Sequence, residues 1–328
     1  MMLQSSILKQ LVYEEGFSAC GIAKAERISA DREAEWTKWI ANGEQGEMDY
    51  LSRNMDKRID PRLLVEGAKT ILSVAINYYP GGISHVAGTE LSSTSDMVVL
   101  TSGHTLHLAK YAYGTDYHEV VKEKLRRVMQ KVQLTEGVDG RVFVDTAPID
   151  EKYWAEQAGL GWRGRNSQLI IPGMGSFFFL GEIVLIHEVD KYDEKAKNRC
   201  GMCNACLSAC PMGALHGDGT LDARKCLSYL TIEHRGNLPE ECKEKLYPCI
   251  YGCDRCADVC PWNKRFARST KVQAFHPREA ILSMSDEDWK NMSVEQYREL
   301  FRKSAVKRAK FEGLKRNISA IFESQDID

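Results

Sequence analysis

The sequence predicts a mixed α/β domain over residues 1–195, then a cysteine-built module over 196–265 and a short helical, basic segment over 266–328. Three observations carry that division. Helix-period and strand-like apolar runs interleave through the first part. Ten of the eleven cysteines fall between Cys200 and Cys260. From Ser285, a suitable N-cap, the pattern turns helical and rich in lysine and arginine. A chain of 328 residues is long enough for one large core and a smaller module.

Residues 3–15 and 34–42 have the spacing of amphipathic helices. Residues 70–79 (TILSVAINYY) are β-branched and aromatic, the composition of a buried strand. Residues 81–102 are small and polar, and a mobile loop is expected there. Residues 117–134 form a charged helix with an apolar stripe at Val120, Val121, Leu125 and Val128. Residues 141–144 are a short strand that ends at Asp145, and residues 149–158 are a further helix. Residues 177–186 predict one or two buried strands, broken or bulged at Gly181.

The formal net charge of -2 identifies no partner by itself. The first residues lack the zones of a secretion signal. The most apolar run is short and contains Glu182, so no membrane span is expected and a cytoplasmic location is. A disulfide-built secreted protein would not crowd its cysteines into one fifth of the chain. Thiolates gathered for metal explain the crowding.

Cys200, Cys203, Cys206 and Cys210 precede Pro211 in the run C-x2-C-x2-C-x3-C-P, and Cys253, Cys256 and Cys260 precede Pro261 in C-x2-C-x3-C-P. The first run is the signature of ferredoxins with two four-iron–four-sulfur clusters, in which the last cysteine of each run ligates the other cluster. Cys200, Cys203, Cys206 and Cys260 are therefore expected on cluster one, and Cys210, Cys253 and Cys256 on cluster two. A regular second run would place another cysteine where Ile250 stands. Cys226, Cys242 and Cys249 are candidates for the missing ligand. Cys226 is preferred because it opens a helical stretch that can reach in from the side, while Cys249 is one position out of register. Cys20 is expected to be a small buried hydrophobe, and Cys242 and Cys249 to be spare. Two zinc sites are the competing reading, disfavoured by the paired C-x3-C-P endings. Two clusters form a wire for single electrons, and the preceding 195 residues must hold whatever receives them.

Gly159, Gly161 and Gly164 match G-x-G-x-x-G, but the segment before them is helical rather than a strand, so they are expected to end that helix rather than bind a dinucleotide. Asp116 and His118 begin a D-x-H-x-x-G pattern that fails at Val121, leaving His118 as a helix-start residue. His104 and His107 are expected on surface loops. Asp145, at a strand end, is either an N-cap or a pocket carboxylate.

The segments KRIDPRLL (57–64), AYGTDYH (112–118), VDTAPIDEKYWAEQAGLGWRGRN (144–166), CLSYLTIEHRG (226–236) and YGCDRCADVCPWNK (251–264) together closely resemble the epoxyqueuosine reductases, over residues 1–320. The resemblance implies a nitroreductase-like α+β/α/β domain that binds cobalamin against a ferredoxin-like module with two [4Fe-4S] clusters. It implies reduction of epoxyqueuosine to queuosine at the wobble position of tRNA. By the same resemblance Asp145 is the proton donor and a cofactor contact, Arg58, Leu169, Ser228 and Asp254 lie at the cobalamin, and Cys226 is the fourth ligand of cluster two. Where some members carry an active-site cysteine, this chain reads Leu108-Ala109-Lys110. The resemblance also implies a short form, expected to be without the helical repeats that some members append.

Expelling the epoxide oxygen as water takes two electrons and two protons, so a donor carboxyl at Asp145 is expected to have a raised pKa. The electrons need an external single-electron donor. The partner is the tRNA anticodon stem-loop, and a monomer is expected. Arg298, Arg302, Lys303, Lys307, Arg308, Lys310, Lys315 and Arg316, opposed by Glu299 and Glu312, are the expected phosphate grip, with Lys264, Arg265 and Arg268 after the second cluster run. A dehalogenase-like corrinoid reductase of a small molecule and a non-enzymatic electron carrier are the alternatives.

Overall fold

A computed structural model of the chain describes residues 2–84, 97–99 and 106–325. Strands β1 (Ala19–Lys24), β2 (Thr70–Asn77), β3 (Gly140–Phe143) and β4 (Phe178–Leu185) form a sheet in the order β1-β2-β4-β3. All three pairings are antiparallel, which sets the domain on the α+β side of the expected class. Helices α1 (Ser5–Glu14), α2 (Ala30–Ala41), α3 (Tyr117–Lys131), α4 (Glu151–Gln157), α5 (Leu227–Ile232) and α6 (Lys310–Gln325) surround it and the module that follows.

The sheet is buried on both faces, and the pleat of β2 distributes its residues accordingly. Leu72, Val74 and Ile76 meet Leu8 and Val12 of α1 and Val121, Leu125 and Val128 of α3. Ile71 and Ala75 face the other way, onto Trp154 and Ala155 of α4. The break expected at Gly181 is absent: β4 pairs with β2 without interruption from Phe178 to Leu185. The glycine serves packing instead. A Cβ at position 181 would lie 3.1 Å from both Val121 and Leu125, so its absence lets α3 press close to the strand.

Gly159 follows α4 with φ +78°, the left-handed geometry that closes a helix, in line with the helix-ending reading of that glycine run. Ser285 caps the Asp286–Lys290 helix in a capping box with Asp288. The loop expected over residues 81–102 lies largely outside the described residues, as does His104; inside them, Gly82–Ser84 pairs in parallel with Met97–Val99.

The helical C-terminal segment is not laid on the surface. Trp289, Phe301, Leu314, Ile318 and Ile321 share one core with Leu227, Leu230, Leu246, Ile250 and Tyr251, and Leu106, Leu108 and Tyr113 enter the same core. Packing therefore crosses the boundary expected at residue 265. Asn317, fully buried on α6, donates to the carbonyls of Thr231 and Ile250 at 2.8 and 2.9 Å. The sheet domain is tied to the cysteine module by Trp162 against Trp262 (centroids 4.9 Å apart) and by Asn263, which bonds both the backbone and the hydroxyl of Ser176.

Candidate active site and cluster module

Several of the expected ligand cysteines are electrostatic neighbours of one another. The charges that act on Cys206 come from Cys200 and Cys260, and those on Cys260 from Cys200 and Cys203. The charges on Cys256 come from Cys226, Cys253, Asp254 and Cys210. Cys226 stands at the N-cap of α5, while Ile250, at the position a regular run would give to cysteine, is buried in the core. Cys242 is fully buried. Cys249 is buried with its sulfur 3.1 Å from Nε2 of His107. His107 is thus not a free surface residue. Among the described residues no three His, Cys, Asp or Glu side chains close on a single ion. Thiolates of a cubane stand further apart than those of a tetrahedral zinc, because each takes a different iron.

Asp145 sits immediately beyond β3 in the left-handed region, at φ +56°. A non-glycine residue there is held by its surroundings. The carboxylate of Glu151, at the start of α4, accepts from the Asp145 backbone N–H at 2.6 Å. Tyr117 donates its hydroxyl to Asp145 Oδ2 at 2.6 Å, and His118 Nε2 lies 3.2 Å from the same oxygen. His118, expected only to start a helix, is therefore part of the Asp145 site. The failed histidine pattern gave no hint of this, because the contact joins the start of α3 to a loop 27 residues later.

The electrostatics correct a second expectation. Desolvation by the surrounding chain pushes the Asp145 carboxyl up even though 56% of its side chain is exposed, but the bonds from His118 and Tyr117 outweigh it and hold the group below its ordinary value. The raised acids are its neighbours. Burial beside Asp145 pushes Glu151 up to about 8, and burial pushes Glu182, on β4 with no exposed surface, well above its usual range.

The other expected positions lie on several separate elements. Arg58 is buried, its guanidinium 5.0 Å from the Trp36 ring centre, with Nη1 3.5 Å from the Ile149 carbonyl and Nε unpartnered among the described residues. Tyr50 is within electrostatic reach of both Arg58 and Asp145. Tyr111 is within reach of both Asp145 and Asp254 and packs in an aromatic cluster with Tyr117, Phe179 and Tyr251, edge-on to Tyr117 and Phe179, while Tyr117 stacks on Phe179 at 4.1 Å. Asp254 accepts the Lys110 backbone N–H at 2.7 Å, so the chain at Leu108-Ala109-Lys110 is anchored to the second cysteine run. Ser228 is half-buried on the first turn of α5, and Leu169 is buried in a short hairpin paired with Arg163.

Several of the expected basic residues are occupied, Lys315 on the Lys290 carbonyl and Arg268 on those of Arg265 and Ala267 among them. Arg308 binds Glu233 through Nε and Nη2 at 2.8–3.0 Å and covers the Tyr50 ring. Arg316 donates to the carbonyls of Leu230, His234 and Gly236. Lys307 and Lys310 are exposed.

The family described as epoxyqueuosine reductase QueG matches residues 58–146, which hold Arg58, Tyr117, His118 and Asp145. The chain is 41% identical over 320 residues to the epoxyqueuosine reductase of Leadbetterella byssophila, covering 97% of this chain and 98% of that one. It belongs to the epoxyqueuosine reductase family. The Cellulophaga algicola member is 39% identical over 315 residues, 96% of either chain. A 4Fe-4S double cluster binding domain matches residues 199–263, and the chain carries two such clusters. Among solved structures, the Streptococcus thermophilus epoxyqueuosine reductase superposes with a TM-score of 0.82 at 28% identity, over 97% of this chain and 80% of that one. An epoxyqueuosine reductase crystallised with an epoxyqueuosine-modified tRNA-Tyr stem loop superposes with a TM-score of 0.85 at 25% identity and the same coverage. No helix among the described residues is long and apolar enough to cross a membrane.

Proposed function

We propose that this chain reduces epoxyqueuosine to queuosine at the wobble position of tRNA, with cobalamin held between the sheet domain and the cluster module. The observation that carries this reading is the end-to-end match to epoxyqueuosine reductases, and the Asp145 site with Tyr117, His118 and the nearby Tyr111 agrees with it. The residues present fit a corrin. Tyr111, Tyr117 and Phe179 give the Asp145 site an aromatic side, and the orphaned Nε of buried Arg58 needs an acceptor from outside the described protein.

Cys200, Cys203, Cys206 and Cys260 hold cluster one, and Cys210, Cys226, Cys253 and Cys256 hold cluster two. Arg58, Leu169, Ser228 and Asp254 line the cobalamin site. When bound, the cobalt supplies a strongly reducing centre that reconciles one-electron delivery with a two-electron reaction. The protein's own part is to exclude water, orient the base and move protons, with Asp145 handing a proton to the departing epoxide oxygen. The anticodon loop offers unstacked bases that a pocket can read directly, and exposed lysines such as Lys307 and Lys310 grip its phosphates. An external single-electron donor feeds the clusters, and the protein works as a cytoplasmic monomer.

The test is anaerobic reconstitution with cobalamin and a low-potential reductant, followed by mass analysis of nucleosides from epoxyqueuosine-containing tRNA. Conversion to queuosine is the expected result. Equal conversion of the free nucleoside would favour a small-molecule reductase, and no conversion would sink the reading.

A further inference from the structure

We propose that His118 is the positioning residue that recharges Asp145: its doubly protonated ring, clamped between Asp116 and Asp145, stores the proton that the Asp145 carboxyl hands on. This rests on the reading of Asp145 as the acid of an epoxide reduction.

The clamp is geometric. Nδ1 of His118 lies 2.6 Å from Asp116 Oδ1, and Nε2 lies 3.2 Å from Asp145 Oδ2. Ionised carboxylates only accept, and a neutral imidazole has one N–H, so only the imidazolium satisfies both sides. The ring is held in place. Asp116 also caps α3 by accepting the His118 backbone N–H at 3.1 Å, and Tyr117 stacks on the imidazole at 4.2 Å. The charged and titratable groups around the pair are Asp116 and Tyr117 from α3, Glu151 from α4, Tyr50 from the α2–β2 connection and Arg308 from the C-terminal segment. Burial lowers the affinity of the ring for its proton, but the two carboxylates outweigh it and hold its pKa at about 9. His118 is the inner partner, with 23% of its side chain exposed against 56% for Asp145. Both bonds to the aspartate land on Oδ2, and Oδ1 accepts none among the described residues.

The stoichiometry gives this store a task. Turning an epoxide into an alkene breaks two C–O bonds, forms one C=C bond and releases the oxygen as water. It consumes two electrons, supplied through the clusters by the external reductant, and two protons. A single carboxyl carries one proton, and the bonds to Asp145 leave it ionised at rest. As the epoxide oxygen departs, the His118 Nε2 proton passes to the Asp145 carboxylate, which hands it on to that oxygen and is left ionised beside a neutral ring. The ring stays neutral on Asp116 until solvent protonates it again, and a second pass delivers the second proton.

Turnover then requires the imidazolium, which is full below about pH 9 and is lost as the pH rises through that value. The experiment records kcat against pH for the reconstituted wild type, His118→Gln and Asp116→Asn, and follows the His118 ring by NMR in protein without cobalamin. The wild type should keep its rate up to an alkaline limb near 9. His118→Gln should lose about 10²-fold, the scale of a missing acid–base partner, and its limb should fall into the carboxylate range. Asp116→Asn should move the limb part of the way down, and in NMR the wild-type ring should titrate well above the ordinary histidine value, dropping in Asp145→Asn. A His118→Gln protein with wild-type kcat and an unmoved limb would overturn the proposal, and so would a ring that titrates at about 6.5, the unperturbed value. A wild-type chain that leaves epoxyqueuosine unreduced would instead overturn the activity reading, a result distinct from both.

Discussion

The indole N–H of Trp162 donates to the sulfur of Cys200 at 3.3 Å. A hydrogen bond to a cluster thiolate withdraws negative charge from the cluster and makes the reduced form easier to reach. Trp162→Phe keeps the ring packed against Trp262 and removes only the donor. Its cluster one should titrate at a lower potential than in the wild type, with iron content unchanged, in an EPR-monitored redox titration. An unshifted potential would mean that Cys200 is not a ligand or that the bond does not reach the cluster.

The place of Cys226 at the N-cap of α5 predicts a split result for two cysteine variants. Cys226→Ala should lose one cluster, leaving about half of the eight irons that two cubanes hold. Cys249→Ala should keep both, because that sulfur faces His107. Iron and labile sulfide assays on anaerobically purified proteins distinguish the two. Loss of iron from the Cys249 variant would reverse the ligand assignment.

Asp145→Asn keeps the side chain's size and its place in the loop, since Glu151 holds the backbone rather than the carboxylate. Cobalamin binding, read from the visible spectrum, should be retained. Turnover should drop by about 10²-fold or more, the range for a removed general acid. Wild-type rates under saturating reductant would remove Asp145 from proton delivery.

The basic segment separates into grip and scaffold. Lys307→Ala with Lys310→Ala should weaken tRNA binding and flatten its dependence on salt, by about 0.7–0.9 in log–log slope for each phosphate no longer neutralised. Arg308→Ala behaves differently, because it strands Glu233 and uncovers Tyr50. It should lower the melting temperature as well as affinity. Parallel salt lines for the double lysine variant and the wild type would exclude this surface as the RNA contact.

Much of this architecture is local and therefore legible. The strands at 70–79 and 177–186, the helix at 117–134 and both cysteine runs each announce themselves within a window of a few residues. The proposal of Cys226 rests on the absent cysteine at Ile250 and on its place at a helix N-terminus. What stayed hidden joins distant segments. The contact of His118 with Asp145 depends on α3 and β3 lying side by side, and no spacing rule spans that gap. The inverted acidity had the same cause: a carboxylate at a strand end suggested burial alone, while Tyr117 and His118 supply the opposing hydrogen bonds. Likewise Gly181 read as a breaker because the sequence cannot show that a helix presses against it.

The core that backs the cluster module draws on residues 106–113, 223–251 and 281–321. A nascent chain releases these stretches in that order, so every cysteine leaves the ribosome before the helices that will wall off the module are made. Domains generally fold as units during synthesis, but here the unit is complete only once Ile321 has emerged. Iron delivery is thereby placed late in biogenesis: a chain arrested at residue 280 would present all of its thiols without the bed they rest on, exposed to oxidation and to the wrong metals.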